Sequence, residues 1–525
     1  MTEPQRPRDG RPPLVWYALG AIVATLTGVG VGHLVAGLVS PDVSPVPAVG
    51  STVVDATPGP VKDWAVSTFG TADKPVLVVS VSVVTLVAAA LIGMLARRRR
   101  ALALGLLGLL ALAPAVAAAF RPAPTGVDIL PGATTALVGV LSAGWLLGLL
   151  DRWGADASDP ASGAGPDARP RQDGSTSRRH VLTAAAGLGA VAATGGAIGT
   201  ALTRSGASPA VALPTPAEPL PPLPAGLESR VDGISALRTP NAQFYRIDTA
   251  LVVPRVSTDS WSLTIDGAVD RPFTLTFDEL LALPMIEADI TLCCVSNEVG
   301  GPYIGGARWL GVRTRDLLER AGVRSGADQI LSRSTDGMTI STPLTALTDD
   351  RDALVAVAMN GEPLPALHGF PARLVTPGLY GFVGATKWLT RMTATTYAVD
   401  SAYWTDRGWA TDAPILTQSR IDTPRARSTV EAGPVTIGGV AWAQGRGVEA
   451  VEVRVDDGPW QQATLGPDAG IDYWRQWYLR WDATPGRHSL AVRATDVTGA
   501  TQTDVRTDPY PSGATGWHNL DVDVE

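Results

Sequence analysis

The chain has 525 residues with a formal net charge of −8; 45% of it is hydrophobic and only 18% charged. That length holds about two or three ordinary domains, and the acidic balance argues against a general nucleic-acid binder. The 2 cysteines are adjacent, Cys293 and Cys294, so no CxxC zinc site, CxxCH haem attachment, iron–sulfur run or disulfide framework can be assembled from them.

Apolar residues crowd into the first part of the chain. Runs at Leu14–Val39, Val76–Ala96, Ala101–Phe120, Ile129–Leu150 and Val181–Leu202 contain no Lys, Arg, Asp or Glu. Each approaches the ~20 residues that cross ~30 Å of hydrocarbon as a helix. Five such runs in succession fit a globular core poorly and predict an all-α transmembrane bundle over residues 1–202, its third span interrupted by Pro114. Arg6, Arg8 and Arg11 precede the first run, Arg97–Arg100 separate the second from the third, and Arg152, Arg169, Arg171, Arg178 and Arg179 lie between the fourth and fifth. The loops 40–75 and 121–128 carry only Lys62, Lys74 and Arg121. The positive-inside bias then predicts a multi-pass protein of the cytoplasmic membrane with its N-terminus inside and its C-terminal part outside. With His33 the sole histidine in the runs, paired haem ligands are lacking, and the bundle reads as an anchor. Ser177-Arg178-Arg179-His180-Val181-Leu182 reads either as a twin-arginine export signal or as an ordinary positive-inside pair.

The stretch 203–240, with prolines at 209, 214, 216, 219, 221, 222 and 224, is expected to be an extended, semi-rigid linker. Residues 241–410 read as a mixed α+β domain. Trp261, Leu263 and Ile265 alternate as in a half-buried strand, and Thr276-Phe277-Asp278-Glu279 is a capping box opening a short helix through Leu283 that Pro284 stops. Ile290–Val295 is expected as a strand, 314–321 as a helix, and 353–358 and 372–376 as buried strands. Residues 411–525 read as all-β: Val451–Val455 alternates, Asp456-Asp457-Gly458 offers a hairpin turn, and Trp477, Tyr478, Trp481, Leu490, Val492 and Val497 continue the pattern. The size suits an immunoglobulin-like β-sandwich.

Chemistry concentrates at two places. In Thr291-Leu292-Cys293-Cys294-Val295-Ser296-Asn297-Glu298, strand alternation lets one thiol pack in the core while the other faces a pocket; two buried structural cysteines and a vicinal disulfide are the other readings. His368-Gly369-Phe370-Pro371-Ala372-Arg373, followed through Pro377-Gly378 by Gly381, Gly384, Lys387, Trp388 and Arg391, offers glycines for close approach and cations for an anion such as phosphate. A turn-rich connection with solvated charges is the plainer reading.

Together, Cys-x-x-Asn at a strand end, His-Gly-x-Pro-x-Arg-x-x-x-Pro-Gly and Lys-Trp resemble the sulfite oxidase family of molybdopterin enzymes, membrane-anchored bacterial branch. The likeness continues through Gln418–Ile421, Gly438–Trp442, Gly458-Pro459-Trp460, Arg493–Asp496 and Gly516-Trp517-His518. It implies a sulfite-oxidase-type domain, a dimerisation-type C-terminal domain that carries a homodimer, and a molybdenum-molybdopterin cofactor whose metal takes Cys294 as its protein ligand. Cys294 and Asn297 match the catalytic motif, and Asp406 stands where the family places its catalytic tyrosine. Tyr245, Arg246, Asp248, His368, Arg373, Gly381 and Lys387 match cofactor-binding positions. Glu298 replaces an arginine that holds the anionic substrate, which disfavours a dianion.

The resemblance therefore implies oxygen-atom transfer on a small sulfur or other oxo substrate. With no haem or flavin motif in the chain, electrons go to a separate carrier, a cytochrome or quinone-linked protein. Protein methionine sulfoxide reduction and a cofactor-free surface binding protein are the alternatives.

Overall fold

The computed structural model describes residues 11–39, 43–58, 61, 64, 68–69, 72–121, 126–158, 178–204 and 211–525. Arg6, Arg8, Lys62, Arg169, Arg171, Ser177 and Pro209 lie outside the described residues. The chain divides into two compact units, Met1–Ala207 with Ala250–Arg255, and Ser208–Thr249 with Val256–Glu525.

The first unit is helical. Five helices, Leu14–Val39, Lys74–Ala96, Arg100–Ala119, Gly126–Trp153 and Arg178–Leu202, are long and apolar enough to cross a membrane. Leu14–Val39 packs on the fourth and fifth of these through small residues. A methyl group on Gly28 would stand 3.0 Å from Gly139 Cα, and one on Gly195 would stand 2.9 Å from Gly30 O. Close backbone approach of this kind lets these helices pack main chain against main chain. A further helix, Pro45–Ala56, lies where a loop was expected; its prolines sit in the first turn, where no intrahelical N–H is lost.

The second unit is built on sheets. One runs, in spatial order, Phe273–Thr276, Ser262–Gly267, Leu389–Thr395, Gln329–Ser334 and Thr339–Pro343. A second runs Ile286–Cys293, Ile304–Arg313, Leu354–Met359 and Glu362–Pro363, with Arg373–Val375 also paired to Leu354–Met359. The second sheet is buried on both faces. Leu310, Val312, Val355 and Val357 pack into a cluster with Leu263 and Ile265, while Ala307, Trp309, Leu354 and Ala356 pack into another with Ile290 and Phe370. This is why Leu354–Met359 is an unbroken apolar run.

The Thr276 capping box forms, but its helix is Phe277–Leu281, shorter than expected, with Ala282 as its C-cap. The helix Thr314–Ala321 ends at Gly322, φ 69°. The strand expected over 290–295 is Ile286–Cys293, and it stops before Cys294.

Residues 418–524 form two largely antiparallel sheets. An apolar cluster, including Ile437, Trp477, Val451, Val453, Leu490 and Val522, draws on both. The strand Gly486–Asp496 stops short of Val497, which is exposed. The proline-rich stretch is not a free spacer from 211 onward. Ala217 N–H donates to Met285 O at 2.7 Å, Leu227 N–H to Gln476 Oε1 at 2.7 Å, and Leu227, Val231, Ile234 and Leu237 are buried. Leucines and valines set between the prolines give that stretch an apolar face to bury, which proline content alone conceals.

Candidate active site

The Cys-x-x-Asn spacing is a β-turn. Asn297 N–H donates to Cys294 O at 3.0 Å, so Cys294 and Asn297 are the turn's ends, with Val295 and Ser296 at its centre. Asn297 is buried, and its Oδ1 accepts from Tyr303 N–H at 2.8 Å, tying the turn to the returning segment. Asn297 thus fixes the loop. Further out, Gly300 (φ 81°) packs so closely on the His518 ring that a side chain there would collide with it. Arg420 Nη1 donates to Gly301 O at 2.7 Å. The cysteine loop is therefore buttressed from the C-terminal sheets.

Both thiols are free and buried. Cys293 is 1% exposed in an apolar cluster with Val295, Ile304, Tyr380 and Trp474. The expectation that alternation would expose the second thiol is not met in full, because Cys294, already in the turn, is 8% exposed. Burial pushes the Cys294 thiol up, opposed by hydrogen bonds from Ser296 and by the Lys387 charge. Its Sγ lies 2.9 Å from Ser296 Oγ.

A basic group gathers from three segments. Lys387 Nζ donates to Asp248 Oδ2 at 2.6 Å and to Leu367 O at 3.2 Å, and Arg246 Nε reaches the same Asp248 oxygen at 2.9 Å. Arg373, the first residue of the strand Arg373–Val375, is 5% exposed and has no carboxylate partner among the described residues. Its donors go to His368 O at 3.0 Å, Ala385 O at 3.4 Å and Leu374 O at 3.4 Å, and its guanidinium lies over Trp309 at 5.1 Å. Burial lowers its pKa to about 10, and burial lowers that of Lys387 to about 8 against the pull of Asp248. His368 Nε2 lies 3.0 Å from Asn241 O, and burial, followed by Arg373, holds its pKa down at about 4. Gly369, φ 110°, is pressed between Lys387 and Arg373: a side chain would stand 3.1 Å from Lys387 Cα and from Arg373 Cβ.

Tyr245 connects the two places. Its phenol is held well above its usual range by burial and then by Cys294 and Cys293, with Arg373 opposing. Gly381 lies beside the cysteine strand; a methyl there would stand 3.7 Å from Cys293 O. Asp406, by contrast, is exposed on the short turn Thr405–Arg407, and among the described residues no contact ties its carboxylate to Cys294. Glu298 is exposed on the cysteine loop. Ser296, Arg420 and His518 escaped the sequence reading as site residues, although Arg420 and His518 lie inside the resemblance motifs.

The donor set fits an anionic, phosphate-bearing cofactor with a thiophilic metal. Arg246 and Lys387 share the carboxylate of Asp248, while among the described residues Arg373 is bonded only to backbone carbonyls, which leaves a surplus of positive charge. A buried cation satisfied only by carbonyls calls for an anion. Nearby, Cys294 supplies a soft sulfur donor.

Comparisons agree with this donor set. The oxidoreductase molybdopterin binding domain family matches residues 250–404. Human mitochondrial sulfite oxidase (Homo sapiens) is 33% identical over 303 residues, 48% of this chain and 55% of that protein. The NADH nitrate reductase 1 of Oryza sativa subsp. japonica is 28% identical over 315 residues, 48% of this chain and 34% of that protein. The chain spans about half the length of the curated sulfite oxidases it matches. Among solved structures, the sulfane dehydrogenase SoxCD of Paracoccus pantotrophus aligns with 55% of this chain and 83% of its own, at 24% identity and a TM-score of 0.49.

Proposed function

Because the chain belongs to the sulfite oxidase family of molybdopterin oxidoreductases, we propose that it is a membrane-anchored enzyme facing outward that adds an oxygen atom to a small sulfur or other oxo-accepting substrate. The net reaction consumes water and releases two protons and two electrons, which pass to a separate cytochrome or quinone-linked carrier. When bound, the molybdenum-molybdopterin cofactor supplies the two-electron oxygen-atom chemistry.

The chain's own residues prepare that chemistry. Cys294 would hold the metal as a thiolate, on a turn fixed by Asn297. Arg373 and Lys387 would hold the pterin phosphate, with Arg246 and Asp248 orienting Lys387. A neutral His368 offers an uncharged ring nitrogen. The observation that carries the reading is Arg373, a buried guanidinium satisfied, among the described residues, only by backbone carbonyls. Five apolar helices and the arginine distribution support the anchor and its orientation. We also read residues 411–525 as an immunoglobulin-like domain that serves a homodimer.

Glu298 favours a second reading. Its carboxylate on the Cys294 loop repels a dianion and tolerates a neutral sulfoxide, as in protein methionine sulfoxide reduction. Assaying the full purified chain in both directions separates the two: sulfite with an artificial one-electron acceptor, and methionine sulfoxide with a reduced dye. Turnover in the first alone supports oxidation; turnover in the second alone supports repair; turnover in neither, with molybdenum bound, refutes sulfite and methionine sulfoxide as substrates. A reporter active only outside the cytoplasm is expected to work when fused after residue 203 and to fail after Arg100.

A further inference from the structure

The β-turn that carries Cys294 does more than present a thiol. Ser296 is the third residue of that turn, and its Oγ sits 2.9 Å from Cys294 Sγ. Val295 and Ser296 are the two central residues of the turn that the Asn297 N–H to Cys294 O bond closes. Either atom of the Cys294–Ser296 contact can donate while the thiol keeps its proton. Once the sulfur is a thiolate it has no proton to give, and the hydroxyl must donate. Cys294 is 8% exposed, so little water competes for the sulfur's lone pairs.

We propose that the Ser296 hydroxyl donates to the Cys294 thiolate and sets the electron-donating strength of that ligand, which makes Ser296 a positioning residue that tunes the metal's reduction potential. The inference rests on the molybdenum reading above. A hydrogen bond to a ligating sulfur draws charge off the metal and favours its more electron-rich, reduced state. Removing the hydroxyl therefore lowers the potential, while the Asn297 N–H to Cys294 O bond keeps the turn in place.

The test uses the full chain, purified from a host that makes the cofactor, as wild type, Ser296→Ala, Ser296→Gly and Ser296→Thr. Molybdenum content, the midpoint potential of the metal and the energy of the sulfur-to-metal absorption band are read alongside one another. Ser296→Ala and Ser296→Gly are expected to retain molybdenum, with the midpoint moved negative and the band moved to longer wavelength. Ser296→Thr, which keeps a hydroxyl, is expected to restore both toward wild type. A purely structural serine would change metal content or stability without moving potential and band together. Wild-type midpoint and band in a molybdenum-loaded Ser296→Ala or Ser296→Gly protein would overturn the assignment of Ser296 alone. A wild type without molybdenum would overturn the cofactor reading and this inference with it, and the metal analysis distinguishes that case.

Discussion

The cysteine turn and the basic group are built in opposite ways. Around Cys294 the hydrogen bonds are neutral and lie within one short loop up to Tyr303, with Asn297 closing the turn and Ser296 on the sulfur. Around Arg373 the groups are charged and come from segments far apart in sequence: Arg246 and Asp248, His368 through Arg373, and Lys387. Within the basic group the contrast repeats. Lys387 and Arg373 are both buried cations, yet Lys387 has the Asp248 carboxylate at 2.6 Å and Arg373, among the described residues, has only carbonyls. A turn can hold a soft ligand by local geometry, but a surplus of buried charge has to be assembled by the fold and held ready for a counter-ion.

The largest expected effect breaks the cysteine side. Cys294→Ser replaces a soft thiolate with a hard, poorly ionised hydroxyl, so turnover should fall by orders of magnitude while much of the pterin stays bound. Cys293→Ser should leave turnover near wild type and reduce stability by about 1–3 kcal/mol, from placing a hydroxyl in the apolar cluster of Ile304 and Trp474. Activity and denaturation of both variants check this. The reverse outcome would assign the ligand to Cys293.

The basic side breaks differently at its two cations. Arg373→Met should cost roughly tenfold or more in pterin content, because the unpaired guanidinium is the anion's partner. Its effect on the cofactor-free fold should be small, since no buried carboxylate is left behind. Asp248→Asn should cost the cofactor-free fold more, about 3 kcal/mol, because it strips Lys387 of its only carboxylate among the described residues. Thermal denaturation of cofactor-free protein ranks the two; a larger loss for Arg373→Met would contradict the charge count.

Acid gives a smaller handle on the same group. The folded state holds His368 near a pKa of about 4, against an ordinary 6.5, through burial and then Arg373. Between those values the unfolded chain binds the proton and the folded chain does not, so stability is lost as pH falls through that window, by on the order of 1–3 kcal/mol. His368→Gln should flatten part of the slope. A residual slope should persist, because burial lowers His518 to about 4 as well.

The smallest expected effect is at the exposed Glu298. Glu298→Arg should lower KM for a sulfur dianion about 2- to 5-fold, the size of a solvent-screened charge effect. A rise in KM would place the anion elsewhere.

The same contrast explains what could be read from the chain. The five apolar spans, the Thr276 capping box and the helix Thr314–Ala321 were legible because each is a local pattern. Cys294 with Asn297, and His368 with Arg373, stood out through spacing, but the lack of a carboxylate beside Arg373 becomes visible only when the strands are assembled. The serine hydroxyl on the thiol was invisible because a serine two residues after a cysteine is unremarkable until the turn brings them together. The helix Pro45–Ala56 and the packed proline-rich stretch were missed because proline content reads as irregular structure. Asp406 was placed by resemblance alone, and on its exposed turn no contact among the described residues ties it to the cysteine.

The central claim is that a buried cysteine turn and an under-neutralised basic group together hold one molybdenum-pterin cofactor. The most direct measurement is molybdenum and pterin content per chain, for wild type and Arg373→Met, purified side by side from a host that makes the cofactor. The account predicts about one of each per wild-type chain and a folded, largely cofactor-free Arg373→Met protein. A folded wild type with neither, or an Arg373→Met protein as fully loaded as wild type, would contradict it.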